Sequence, residues 1–203
     1  MQQHRALILR SNRFLGSALV DKELIKAADL EAANEKFMEL IQSVDSMEKA
    51  SVLYTLLYEL KSLDESKLIE FLIDEHKIAL IDLTQIQPNS LRPMGVELSE
   101  CMATWCLPFD HIEGTYLMAT CYYLSAPVLR YWDEKLKGNI IWYATPMASM
   151  IRSMGIIQDL HDAEDRALEE AAAEDLAEEK AGIAAAELLA KSKIATDPNT
   201  PSN

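Results

Sequence analysis

The sequence predicts an α+β protein: N-terminal helical pairs, then a small α/β sandwich, then an acidic Ala/Glu-rich C-terminal helix. Three observations carry this. Up to about Glu75, apolar residues recur at spacings of three and four, the period of a helix face. From Ile78 onward, short apolar runs alternate with turns marked by Pro and Gly. From Gln158 the composition narrows to mostly Ala, Glu, Asp, Leu and Lys.

The first helical pair reads from about Leu15 to Ser43, with a break near Lys26. The second reads from about Glu48 to Glu75, and Asp64 is a suitable N-cap for its second helix. Lys67 stands where a capping box would place Glu or Gln, so the box is incomplete. Ile78 to Leu83 is a short strand, and Pro88 and Pro93 bracket a loop. Leu98 to Thr104 is a short helix. Two strands, Trp105–Phe109 and Thr115–Tyr122, flank a hairpin loop over Asp110–Gly114. Ser125-Ala126-Pro127 opens a helix that Gly138 stops, since Pro suits a first helical turn and Gly a C-terminal stop. Asn139–Ala144 is a strand, and Thr145-Pro146 opens a helix through about Met154. The order is β-α-β-β-α-β-α. By region, residues 1–12 form an extension, 13–76 the repeated helical pairs, 77–157 the α+β part and 158–193 an acidic helical tail. Residues 194–203 are expected to be disordered.

The net charge is −14. Residues 158–203 hold twelve acids and four bases (−8), leaving −6 on the first 157. Neither part has a basic face for nucleic acid or anionic lipid. No apolar run approaches the roughly eighteen residues of a membrane span. The start shows no signal peptide, so a cytoplasmic protein without membrane insertion is expected. Cys101, Cys106 and Cys121 read as buried thiols in a reducing compartment.

The helical pairs repeat. Leu15, Leu19, Ile25 and Leu30 share offsets of four, ten and fifteen with Leu53, Leu57, Leu63 and Leu68. The first copy, LGSALVDKELIKAADLEAANE from Leu15 to Glu35, resembles the opening motif of the N-terminal domain of type II secretion and type IV pilus assembly ATPases. Further elements follow in the family's order: IALIDL, the Leu107-Pro108 step, the Ser125–Pro127 helix start and the Ala144–Pro146 helix start. The resemblance spans about Leu15 to Gly155. It implies a docking domain that joins a motor to cytoplasmic parts of an inner-membrane platform. The motor's Gly-x-x-x-x-Gly-Lys-Ser/Thr loop is absent, because none of the six glycines precedes a Lys. ATP hydrolysis, and any enzyme activity, is therefore not expected.

Some members of the resembled family bind cyclic di-GMP through two copies of the motif, using Arg, Leu, Gly and a terminal Gln. In the first copy here Leu15 and Gly16 match, but Phe14 holds the Arg position, with Arg13 one residue early, and Phe37 holds the Gln position. In the second copy Val52, Tyr54 and Glu75 replace Arg, Gly and Gln. The apolar frame persists while the ligand groups are gone. Two readings follow: a protein-interaction adaptor or regulatory module, and, as the alternative, a sensor of cyclic di-GMP or a related nucleotide, gripping its ligand through Arg13, Leu15 and Gly16. A protein partner is expected under the first, and no cofactor under either.

The histidines and cysteines lack the spacing of a metal site. Glu97 and Glu100 stand at helical spacing with no catalytic partner in sequence and read as solvated surface. Trp105, Trp132 and Trp142 read as core or interface anchors.

Overall fold

The computed structural model describes residues 5–42 and 51–195. Ser43, Glu48 and the end beyond Ala195 lie outside the described residues, as does the start of the 1–12 extension through His4. The elements in order are α1 (Arg5–Asp21), α2 (Ala27–Gln42), α3 (Val52–Tyr54) running into a π-helical turn (Thr55–Glu59), and α4 (Glu65–His76). Then come β1 (Ala79–Leu80), α5 (Leu98–Thr104), β2 (Cys106–Ile112), β3 (Thr115–Thr120), α6 (Ala126–Leu136), β4 (Asn139–Ala144) and α7 (Met147–Ala195). The α+β class and the β-α-β-β-α-β-α order are those the sequence predicts.

Helix α1 is already formed at Arg5, ahead of Leu15, and within it Ser11 and Asn12 are buried with their side chains donating back to the carbonyls of Leu7 and Ile8. The repeated apolar frame is packing: Leu15, Leu19, Ile25, Leu53, Leu63 and Leu68 are all buried. Asp64 caps α4 by accepting from the Ser66 and Lys67 N–H groups. The helix after Ser51 is not regular. The Leu60 N–H reaches the Thr55 carbonyl, five residues back, at 2.8 Å, which makes the π-helical turn.

The four strands form one sheet in the order β1-β4-β3-β2. Strand β4 is parallel to β1 and to β3, while β2 and β3 form an antiparallel hairpin. The hairpin loop is tighter than the five residues expected. Glu113 and Gly114 alone turn the chain, both at positive φ (48° and 78°), and Asp110–Ile112 continue the ladder. Phe109 bulges between the paired Pro108 and Asp110. Pro108 is tolerated because β2 is an edge strand.

Helix α6 ends one residue before the expected stop, with Lys137 in the left-handed conformation. Gly138 instead admits the hairpin, since a Cβ there would meet the Gly114 carbonyl oxygen at 2.8 Å and the Tyr116 ring at 2.9 Å. The last predicted helix and the acidic tail are one helix, because Gly155 does not interrupt α7. The N-terminus of α7 is capped from elsewhere: Glu65 of α4 accepts the Met147 N–H at 2.8 Å.

The described residues fall into two compact units divided after Gln158, and one core runs from Leu15 to Ile157 within the first. Helix α1 packs against α3, α5 and α6. A buried polar network fastens it. Asn12 accepts the Val52 N–H at 3.0 Å and the Tyr122 hydroxyl at 2.9 Å, and Ser51 bonds to the same hydroxyl. Burial raises the Tyr122 pKa, so the phenol stays neutral and can donate. Tyr122 also stacks on Trp105, with ring centroids 5.8 Å apart.

Candidate functional site

The nucleotide positions come first, because the sequence singles them out. Leu15 is buried in the core. Gly16 is also buried, and its missing Cβ would stand 2.6 Å from Leu30 Cδ1, so it serves the approach of α2 to α1. Arg13 is exposed. The structure therefore separates Arg13 from the two motif residues beside it, which face the core.

The substituted positions have physical roles of their own. Phe37 and Val52 are buried. Tyr54 is half-buried against Tyr58, with ring centroids 5.0 Å apart. Glu75 bonds to Lys22 at 2.9 Å, and that bond lowers the Glu75 pKa and raises that of Lys22. Both groups lie at the surface, so the pair adds little stability. Phe14 is exposed.

Glu100 corrects the expectation of a solvated carboxylate: it is buried. It accepts from Lys135 Nζ at 2.7 Å, the Tyr131 hydroxyl at 2.7 Å and the Glu97 N–H at 2.8 Å. Burial works to raise its pKa, but these three donors together prevail and hold it below the usual carboxylate range. Its ionised form is fully partnered within the fold, so it is a structural charge. The sequence held a signal for this: Glu100 stands three residues into a helix whose N-cap is Glu97.

The three cysteines are free and buried, as expected. Burial pushes all three thiols up, Cys106 to about 12, which leaves no reactive thiolate near neutral pH. Trp105 and Trp132 are buried, and Trp132 Nε1 donates to Thr104 Oγ1 at 3.2 Å. Among the described residues no three His, Cys, Asp or Glu side chains gather as a metal site. No described helix is long and apolar enough to cross a membrane.

What the body does present is an apolar sheet face. Residues directly opposite in the ladders share a face. One row is Asp110–Leu117–Ile141, the next is Ile112–Thr115–Asn139, and Tyr143 pairs with Ala119 above them. Ile112 is 54% exposed and Ile141 48%, while Leu117 and Tyr143 are half-buried. Phe109 lies edge-on to Tyr143, with centroids 5.5 Å apart. Ile112 and Ile141 are thus the exposed apolar residues of this face, with half-buried Leu117 on the strand between them and the polar Asp110, Thr115 and Asn139 in the same rows. The sequence concealed it. Asn139–Ala144 is a nearly continuous apolar run, which reads as a strand covered on both faces.

No protein-family model matches the sequence. No curated protein matches it either. Solved structures align with it over most of its length at low identity. A structure of MshE with cdg is 16% identical, with a TM-score of 0.44, over 70% of this chain and 97% of that one. The N-terminal domain of XpsE in one crystal form is 15% identical, with a TM-score of 0.45, over 68% and 90%. In a second form the values are 15%, 0.44, 71% and 94%.

Proposed function

We propose that residues 13–157 form a non-catalytic docking module, acting as an adaptor or regulator, whose contact face is the open side of β2, β3 and β4. The observation that carries this is the exposure of Ile112 and Ile141 on that face, beside half-buried Phe109, Leu117 and Tyr143. The partner implied by the sequence resemblance is a cytoplasmic segment of an inner-membrane platform of a secretion or pilus machine. An acidic, non-catalytic chain suits a protein partner better than nucleic acid or an anionic membrane surface. The test is titration of purified chain against purified cytoplasmic segments of such platform proteins. Ile141→Glu should weaken binding at least ten-fold and leave the melting transition in place. Unaltered binding by that variant would remove the sheet face from the proposal.

The nucleotide alternative has less support, since of Arg13, Leu15 and Gly16 only the first reaches solvent. Calorimetry with cyclic di-GMP at tens of micromolar protein, a range of about −6 to −7 kcal/mol, should show no saturable heat. One-to-one binding abolished by Arg13→Ala would reverse the order of the two readings.

A further inference from the structure

Within the second compact unit, α7 runs from Asp159 to Ala195. Of its described side chains between Asp159 and Ile183, only His161 and Glu164 are partly covered. The exposed ones include four large apolar residues, Leu160 (37%), Leu168 (64%), Leu176 (50%) and Ile183 (55%), of which the last three share one face. Turning about 100° per residue, Leu168, Ala172, Leu176 and Ile183 fall within a sector of about 80° on the helix surface. That is a single stripe, its members four, four and seven residues apart.

The stripe lies in a strong and lopsided charge. Residues 159–179 hold ten acids and one base, a net of −9. Residues 180–195 hold one acid and three bases, a net of +2. An apolar stripe of this width is what a second helix packs against, and the charges beside such a seam select the partner. A second copy in parallel would set −9 against −9, and an antiparallel one would offer only +2 against each −9. We infer that this face of α7 docks an amphipathic helix of another protein, apolar on one side and rich in Lys or Arg on its flanks. The surface is distinct from the sheet face, so this inference stands apart from the docking reading of the body.

The experiment uses the full chain and a synthetic Leu/Lys peptide of about 21 residues. Its leucines are spaced to match the stripe, and a scrambled peptide of the same composition is the control. The expected result is saturable one-to-one binding, at least ten-fold weaker for the scrambled peptide. It should weaken when salt rises from about 50 to 300 mM, as pairing across a charged seam requires. Leu168→Ser with Leu176→Ser should cost a further factor of ten or more. Both positions are exposed, and far-UV circular dichroism checks that helix content is kept. Equal binding of the scrambled peptide, or unaltered binding by the double variant, would overturn the inference. So would self-association of the wild-type chain that the double variant loses, since that assigns the stripe to a second copy. Ile141→Glu should bind the peptide normally; loss there would place the peptide on the sheet face and sink this inference while leaving the docking reading intact.

Discussion

Two glycines, both close to other atoms, should respond differently to a methyl group. At Gly138 the added carbon would meet a backbone oxygen and an aromatic ring that the hairpin holds in place. Gly138→Ala should cost about 1–3 kcal/mol, the usual range for overpacking. At Gly16 the nearest atom is the end of the Leu30 side chain, which can rotate, and Ala gains up to about 1 kcal/mol of helix propensity. Gly16→Ala should therefore be nearly neutral; urea unfolding of the two variants separates them. His76 supplies a pH dependence. Its Nε2 accepts the Leu124 N–H at 3.1 Å, so the folded state needs the neutral ring, and burial lowers its pKa. The unfolded chain, at about 6.5, takes up a proton first as pH falls. The stability from this bond is complete above that value. It is lost as pH falls from about 6.5 towards and through the lower folded pKa. The urea midpoint should drop between pH 7 and pH 5.5 in the wild type, and less in His76→Gln. The sequence shows neither the Leu124 partner of His76 nor the Tyr131 and Lys135 partners of Glu100, because these bonds join residues distant in the chain.

Elements were more legible than the contacts between them. Pro127, Gly114 and the Thr145-Pro146 step punctuate the second half, and each marks a real boundary because its backbone restriction is local. The π-helical turn at Thr55–Glu59 was not legible, since nothing in TLLYE distinguishes it from an ordinary helical turn. Nor was the continuity of α7. Gly155 weakens a helix in isolation, but Met150, Met154 and Ile157 are buried on either side of it, and packing overrides propensity. The start of α7 depends on α4 through the Glu65 carboxylate. Glu65→Ala should cost about 1 kcal/mol, the typical value of a lost N-terminal cap. Glu65→Gln, which can still accept the Met147 N–H, should keep most of that. Chemical denaturation of the two variants reads the difference.

For the whole molecule, the proposed boundary after residue 157 has a direct test. Met147, Met150, Met154 and Ile157 are buried, whereas Leu160, Leu168, Leu176 and Ile183 beyond them are exposed. Truncation after Ile157 should leave the melting transition of the body nearly unchanged, as followed by near-UV circular dichroism. A fall of many degrees would make the tail part of the core. Inside the body, the hydrogen bond from Tyr122 to Asn12 joins residues 110 apart in sequence. A ribosome adding about 5–20 residues per second reaches the tyrosine roughly 5–20 s after the asparagine. Helix α1 thus waits through the synthesis of the intervening residues for α5, α6 and Tyr122, with Leu15 and Leu19 still lacking their final cover. Nascent chains stalled before Tyr122 should be cut by protease within α1, and chains released after α7 should resist. A segment made 110 residues before its hydrogen-bond partner is in this way locked late, and until then its apolar face is open to a chaperone.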